Sequence, residues 1–319
     1  MPDDQNIIEV LEAREGRRAS RRDMFRGFAA ASAAAGGFVL ANKSSPVAAQ
    51  SVSDGDILNF ALNLEYLEAQ FYVYAASGAG LPESLLSGTG TRGQATGGRR
   101  VNFTDPAVAA YAREIAADEQ AHVAFLRGAL GAAAVAQPAI DIGASPNGAF
   151  STAARAAGLI GPGQAFDPYA SDENFLLAAY IFEDVGVTAY KGASPLISNK
   201  TFLEAAAGIL AVEAYHASLV RTTLYAKGMQ TPSLIDASIA ISNARDSLDG
   251  SSDLDQGLTT SRTAGGTASN IAPLDENGIA YSRSAGQVLN IVYLNNMAVT
   301  GGGFFPNGVN GTLRMSAAN

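Results

Sequence analysis

The chain of 319 residues contains two histidines, and each follows a glutamate by three positions. DEQAHVAF carries Glu119 and His122, and VEAYHASL carries Glu213 and His216. With glutamate at 13 positions, random placement would give both histidines such a partner about once in 600 trials. On a helix, residues three apart share a face, so each pair would project a carboxylate and an imidazole together. Oxygen and nitrogen donors in that mixture suit iron or manganese better than copper(I) or a thiolate-bound zinc. The bland alternative, two surface Glu–His contacts, would call for exposed surroundings, yet both pairs stand among alanines and other apolar residues.

Two more glutamates occupy apolar stretches, Glu65 in ALNLEYLEA and Glu183 in AAYIFEDVG. The order along the chain is Glu, Glu-x-x-His, Glu, Glu-x-x-His. That is the ligand order with which carboxylate-bridged dinuclear proteins fill the middle of a four-helix bundle. Buried ionised carboxylates are costly unless paired or bound to metal, and four facing one cavity would repel one another and hold protons in the absence of cations. Two divalent ions would neutralise the four charges. On the first helix Glu68 competes with Glu65, being one turn away. Glu65 is favoured because Leu58, Ala61 and Leu62 lie one or two turns back on its face. On the third helix Asp184 competes weakly with Glu183, turned about 100° from it. Tyr72 and Tyr190 each stand seven residues after the chosen glutamate, two turns along the same face. They are read as core tyrosines that could also hydrogen-bond a ligand. Glu114 and Glu204 read as solvated or capping residues, and Tyr215 as pointing away from the core.

Four helices must position these groups. Apolar periodicity predicts the first over about 55–76, with Asp54 as a cap and Gly78 beyond its end. Asp105-Pro106 opens the second, about 106–130, as a cap followed by proline at the first helical position. On it Val108, Ala112, Ile115, His122 and Phe125 fall near one face. Ser171 caps the third, about 172–191, and the fourth starts at Asn199 or Thr201 and runs to about Lys227. The short link between the last two makes them antiparallel neighbours, and the Gly/Pro/Ala-rich stretch 131–170, with a short helix near 151–158, is the crossover between two hairpins. The expected class is therefore all-α: a ferritin-like four-helix bundle with one long crossover, over residues 50–228, plus a C-terminal helical and loop extension over 229–319. In that extension a fifth helix is expected at 233–249, loop at 250–280, a short helix within SAGQVLNIVYLNNMA, and turns in GGGFFPNGVNG with both phenylalanines exposed.

Residues 1–49 read as an export address. Ser20-Arg21-Arg22-Asp23-Met24-Phe25-Arg26 fits a twin-arginine signal, an Ala/Gly-rich run follows from Gly27 to Ala41, and PVAAQ suits cleavage before Gln50. The expected location is periplasmic, or otherwise exported by that route. The formal net charge is −9 for the whole chain and argues against a nucleic-acid partner, which calls for a basic face. Cysteine is absent, which excludes disulfides, thiolate catalysis, zinc fingers and iron–sulfur clusters. No run of 18 or more continuous apolar residues follows residue 50, so no membrane span is expected in the mature chain. The expected partners are a small oxidant and, in a homo-oligomer, further copies of the chain.

LNLEYLEAQFY, FEDVGVTAYKGASPLI, GILAVEAYHASLVRTTLY and QVLNIVYLNN followed by GGFFPNGVNG resemble the ferritin-like proteins of the desiccation-related type. The likeness covers most of residues 52–311. More distantly the bundle is similar to bacterioferritin, rubrerythrin and manganese catalase. The resemblance implies terminal ligands at Glu65 and Glu183, bridging ligands at Glu119 and Glu213, and His122 and His216 each completing one ion's shell. It implies two Fe or Mn ions and leaves the activity open. Two ions that each change oxidation state by one unit suit two-electron chemistry on hydrogen peroxide or dioxygen, catalase-like or oxidase-like. The other readings are an envelope or desiccation-protective protein with a structural metal site, and an iron ferroxidase or storage protein.

Overall fold

The protein is described by a computed structural model covering residues 52–259, 261–263 and 266–319; the export signal expected at 1–49 lies outside the described residues. Seven α-helices occur among these residues: α1 (Asp54–Ser77), α2 (Pro106–Leu130), α3 (Ala149–Ala156), α4 (Asp172–Ala193), α5 (Lys200–Gly228), α6 (Ser233–Asp249) and α7 (Ala285–Tyr293). Helices α1, α2, α4 and α5 form the expected all-α bundle, packed as the hairpins α1–α2 and α4–α5.

The helix ends follow local chemistry. Ser53, one residue before the expected cap, closes a capping box with Asp56 on α1. Asp54 instead uses its carboxylate to accept from the backbone N–H groups of Ser198 and Asn199, which ties the start of α1 to the start of α5. Asp105 caps α2 with Pro106 behind it, Ser171 caps α4 and Asn199 caps α5. Gly78 stops α1 in the left-handed conformation, φ 86°, which glycine adopts without a Cβ clash.

The crossover between the hairpins is tied to the α1–α2 loop by a short parallel strand pair, β1 (Ala95–Thr96) with β2 (Ile140–Asp141). Helix α3 lies within it and brings Phe150 onto the core. The stretch 250–280, expected to be loop, contains an antiparallel strand pair, β3 (Ser261–Thr263) with β4 (Gly266–Ala268). Its strands are three residues long, too short for period-2 alternation to register.

The tail is part of the core. Phe304 and Phe305, expected to be exposed, are fully buried. Gly302 and Gly303, both at positive φ, turn the chain inward at this point. Phe304 packs edge-on against Phe150 of α3 and Phe182 of α4, with ring centres 5.0 and 4.9 Å away. A second lock is ionic. Arg221 of α5 and Arg245 of α6 meet Asp184 of α4 at 2.7 and 3.0 Å, Arg245 meets Asp255 at 2.9 Å, and Arg283 meets Asp249 and Asp255 at 2.5 and 2.6 Å. These six side chains are buried. Arg245 thus joins the tail to Asp184 of the bundle, while Asp249, Asp255 and Arg283 neutralise one another within the tail, since burying either sign alone would be prohibitive.

Helix α5 is long and apolar enough to cross a membrane by length and composition. Its inner face, however, places Glu213, His216 and Arg221 in the bundle interior, where Arg221 meets Asp184. In lipid the same groups would have to find partners there or be neutralised.

Candidate metal centre

The six side chains expected to act as ligands are buried together. Ligand atoms of Glu65, Glu119, His122 and Glu213 all lie within 4.8 Å of one another. His122 Nδ1 is 3.2 Å from Glu65 Oε2, 3.6 Å from Glu119 Oε2 and 3.9 Å from Glu213 Oε1. The other half forms around His216, whose Nδ1 is 3.0 Å from Glu119 Oε1 and 3.8 Å from Glu183 Oε2. The two imidazole rings are 6.3 Å apart, centre to centre. Glu119 sits between them and turns one oxygen to each.

His122 Nδ1 and Glu65 Oε2 share a hydrogen bond at 3.2 Å, but most of the other donor atoms are unsatisfied by the described residues. Both oxygens of Glu119, both of Glu213, Glu183 Oε2 and His216 Nδ1 are buried without a hydrogen-bond partner. The 3.0 Å approach of His216 Nδ1 to Glu119 lacks hydrogen-bond geometry; two ligand atoms simply aim at common space. Orphaned buried polar atoms are rare in native proteins and call for an ion or another unseen partner. Four carboxylates with two imidazoles are an oxygen-rich donor set that fits iron or manganese.

The outer groups are as ordered as the donors. Tyr72 of α1 donates its hydroxyl hydrogen to Glu183 Oε1 of α4, and Tyr190 of α4 donates to Glu65 Oε1 of α1. The two tyrosines thus have reciprocal roles, more specific than core packing. Each occupies one oxygen of a terminal carboxylate and leaves the other facing the centre. Glu68 is buried one turn beyond Glu65, outside the group of four, and lines a void of about 20 Å³ with Gly186, Ile291 and Phe304. Asp184 faces Arg221 and Arg245, away from the cluster to which Glu183 turns. Glu114, Glu204 and Tyr215 are exposed.

Two contributors escaped the sequence reading. Asp118 Oδ2 lies 3.2 Å from His216 Nε2, the carboxylate-to-histidine contact that fixes the ring of a metal-binding imidazole. Its adjacency to Glu119 was the available signal. Gly186 is the other. It stands mid-helix in α4, where a glycine costs about 1 kcal/mol relative to alanine, and a Cβ there would overlap Glu213 Oε2. Gly186→Ala is therefore expected to displace Glu213 and weaken metal binding about 10- to 100-fold, measured by metal titration. Unchanged affinity together with a raised melting temperature would show that the gap serves no ligand.

Without cations the cluster holds protons. Burial and the Glu119 charge push Glu65 up to about 7. Burial pushes Glu183 up to about 8, with His216 opposing it and Glu119 adding to it. Glu68 and Glu213 are raised well above the usual range by burial and neighbouring carboxylates. Burial opposes ionisation of Glu119 too, but the two imidazoles outweigh it and hold Glu119 at about 2. For the imidazoles burial opposes the charge, and the carboxylates prevail, raising His122 to about 11 and His216 to about 9.

Glu65, Glu183 and both histidines therefore bind more protons folded than unfolded. Their contributions are fully present below the ordinary values of 4.5 and 6.5 and fade as pH rises through about 7 to 11. Glu119 contributes above 4.5 and loses its contribution as pH falls toward about 2. The chelated protein is thus expected to be most stable near about pH 4.5 and to melt at least ~5 °C lower at pH 9 than at pH 5. Metal binding needs deprotonated ligands, so the gap in melting temperature between loaded and chelated protein should widen over the same range. Calorimetry at pH 5, 7 and 9 checks both; a chelated protein that gains stability over this range would contradict the cluster's protonation.

Comparison with known proteins agrees with this geometry. The ferritin-like domain family matches residues 53–226, the span from the cap of α1 to the end of α5. The chain is 29% identical over 273 residues to the ferritin-like catalase Nec2 of Nesocodon mauritianus, covering 82% of this chain and 85% of that protein. It is 30% identical over 244 residues to the desiccation-related protein PCC13-62 of Craterostigma plantagineum, covering 73% and 75%. No solved structure matches the chain. With its bundle, its buried glutamate–histidine cluster and these relatives, the chain belongs to the ferritin-like domain family.

Proposed function

We propose that this protein is an exported dinuclear manganese or iron protein that disproportionates hydrogen peroxide to water and dioxygen. The observation that carries the reading is Glu119, a buried carboxylate with one oxygen toward each of two imidazoles and, among the described residues, no hydrogen-bond partner. Glu65 and His122 would hold one ion and Glu183 and His216 the other, with Glu119 and Glu213 shared. When bound, such a pair supplies two one-electron changes, which matches the two electrons exchanged by each peroxide. The chain's own groups hold that arrangement: Tyr72 and Tyr190 fix the terminal carboxylates, Asp118 orients His216, and the apolar walls of α1 and α4 keep bulk water out. Disproportionation, 2 H2O2 → 2 H2O + O2, needs no outside reductant, and the absence of cysteine leaves no rubredoxin-type donor in the chain. The catalase name of one relative supports the same reading.

The test is oxygen evolution by protein loaded with manganese or iron. Steady release of one O2 per two H2O2 is expected, and loaded protein that releases none would overturn the proposal. The second relative's name favours a different use, protection on drying, with the ions serving only to staple the bundle. That use would give a large melting shift on chelation and no turnover. Export is proposed from Arg21 and Arg22; replacing both by lysine should hold the protein in the cytoplasm in cell fractionation.

A further inference from the structure

The two halves of the cluster differ in access. The His216 side chain is 3% exposed and the His122 side chain 11%. Asp118 takes Nε2 of His216, whereas among the described residues no hydrogen bond reaches Nε2 of His122. His122 lies at the floor of a cleft of about 610 Å³ between α2 and α5. Phe125, placed with the core face by its spacing, is 50% exposed and lines this cleft instead. It falls three residues beyond His122, at the edge of the seam. Phe202, Ile209 and Val212 of α5 line the opposite side, and Glu204 is exposed at the rim. At Gly208 a Cβ would meet nothing within 4 Å, so the cleft is open at that point. The opposite face of the centre is closed. There α7 and Phe304 cover α1 and α4, and the void beside Glu68 is only about 20 Å³.

We infer that the α2–α5 cleft is the entrance to the metal centre and that it passes small uncharged molecules while turning back anions. An apolar throat offers no replacement for an anion's hydration shell, and the Glu204 carboxylate at the rim repels it. Hydrogen peroxide, small and neutral, meets both conditions. The choice of peroxide as occupant rests on the proposed function; the entrance itself does not.

The experiment follows iron(II) removal from anaerobically loaded, full-length protein by neutral bipyridyl and by an anionic, sulfonated bipyridyl. Wild type should lose iron to the neutral chelator at least about tenfold faster. Gly208→Trp should slow that loss about tenfold with little change in melting temperature, since position 208 is exposed. Ala129→Trp, on the opposite lip, should do the same if Gly208→Trp fails to fold. Phe125→Ala should speed the loss, and Glu204→Lys should raise the anionic rate alone. Equal rates for the two chelators in wild type would overturn the charge selectivity. Unchanged loss in folded Gly208→Trp or Ala129→Trp would overturn the entrance. If wild type evolves no oxygen yet the tryptophan variants slow iron loss, peroxide chemistry falls and the entrance stands.

Discussion

Glu119→Ala is expected to leave the protein with almost no bound metal, while Glu65→Ala or Glu183→Ala weakens chiefly one of two sites. The asymmetry comes from position. Glu119 Oε1 is 3.0 Å from His216 Nδ1 and its Oε2 is 3.6 Å from His122 Nδ1, so one side chain serves both halves. Losing a shared anionic ligand should reduce the affinity of each half by about 100-fold or more, roughly 2.7 kcal/mol or above. The chelated variant need not be unstable, because Glu65, Glu68 and Glu213 lose a repelling neighbour. Metal titration with melting curves separates a folded, empty protein from a misfolded one. Glu119→Gln, which keeps the shape and removes the charge, should fall between wild type and alanine. Two tightly bound ions in Glu119→Ala would refute the shared-ligand assignment.

The second large effect is expected far from the donors. Arg283 is fully buried and serves Asp249, Asp255 and the Thr188 hydroxyl. Arg283→Ala strands the buried Asp249 and leaves Asp255 to Arg245 and Ser242, and breaking such a pair from one side costs about 3–5 kcal/mol. A drop in melting temperature of about 10 °C follows for a domain of this size. Asp184 remains held by Arg221 and Arg245, so its neighbour Glu183 keeps its place and metal content below the transition should persist. Arg283→Lys, which can retain one partner, should recover part of the loss. A substitution that leaves melting unchanged would mean that Phe304 and the Arg245–Asp184 pair hold the tail without Arg283.

What was legible in the sequence was periodic or paired. The three-residue spacing of Glu119–His122 and Glu213–His216 carries its own geometry, because a helix turns nearly once in that distance. Helix ends were legible wherever Ser, Asp, Asn or Pro marked them. Groups whose meaning depends on distant chain were not. Nothing near Arg283 announces Asp249 and Asp255, and nothing in GGGFFPNG announces Phe150 and Phe182 waiting for Phe304. Tyr72 and Tyr190 were placed on the correct faces, but their reciprocal bonds need the antiparallel pairing of α1 and α4 in register. Gly186 carried a signal that went unread: a mid-helix glycine one turn from a ligand marks a place where another side chain must fit.

The buried carboxylates exist to hold cations, and the metal content of the full-length protein from its native host tests this without intermediate steps. About two ions of manganese or iron per chain are expected, with a melting temperature that falls on chelation. Protein that carries neither metal, takes up neither on reconstitution, and melts identically with and without chelator would contradict the account.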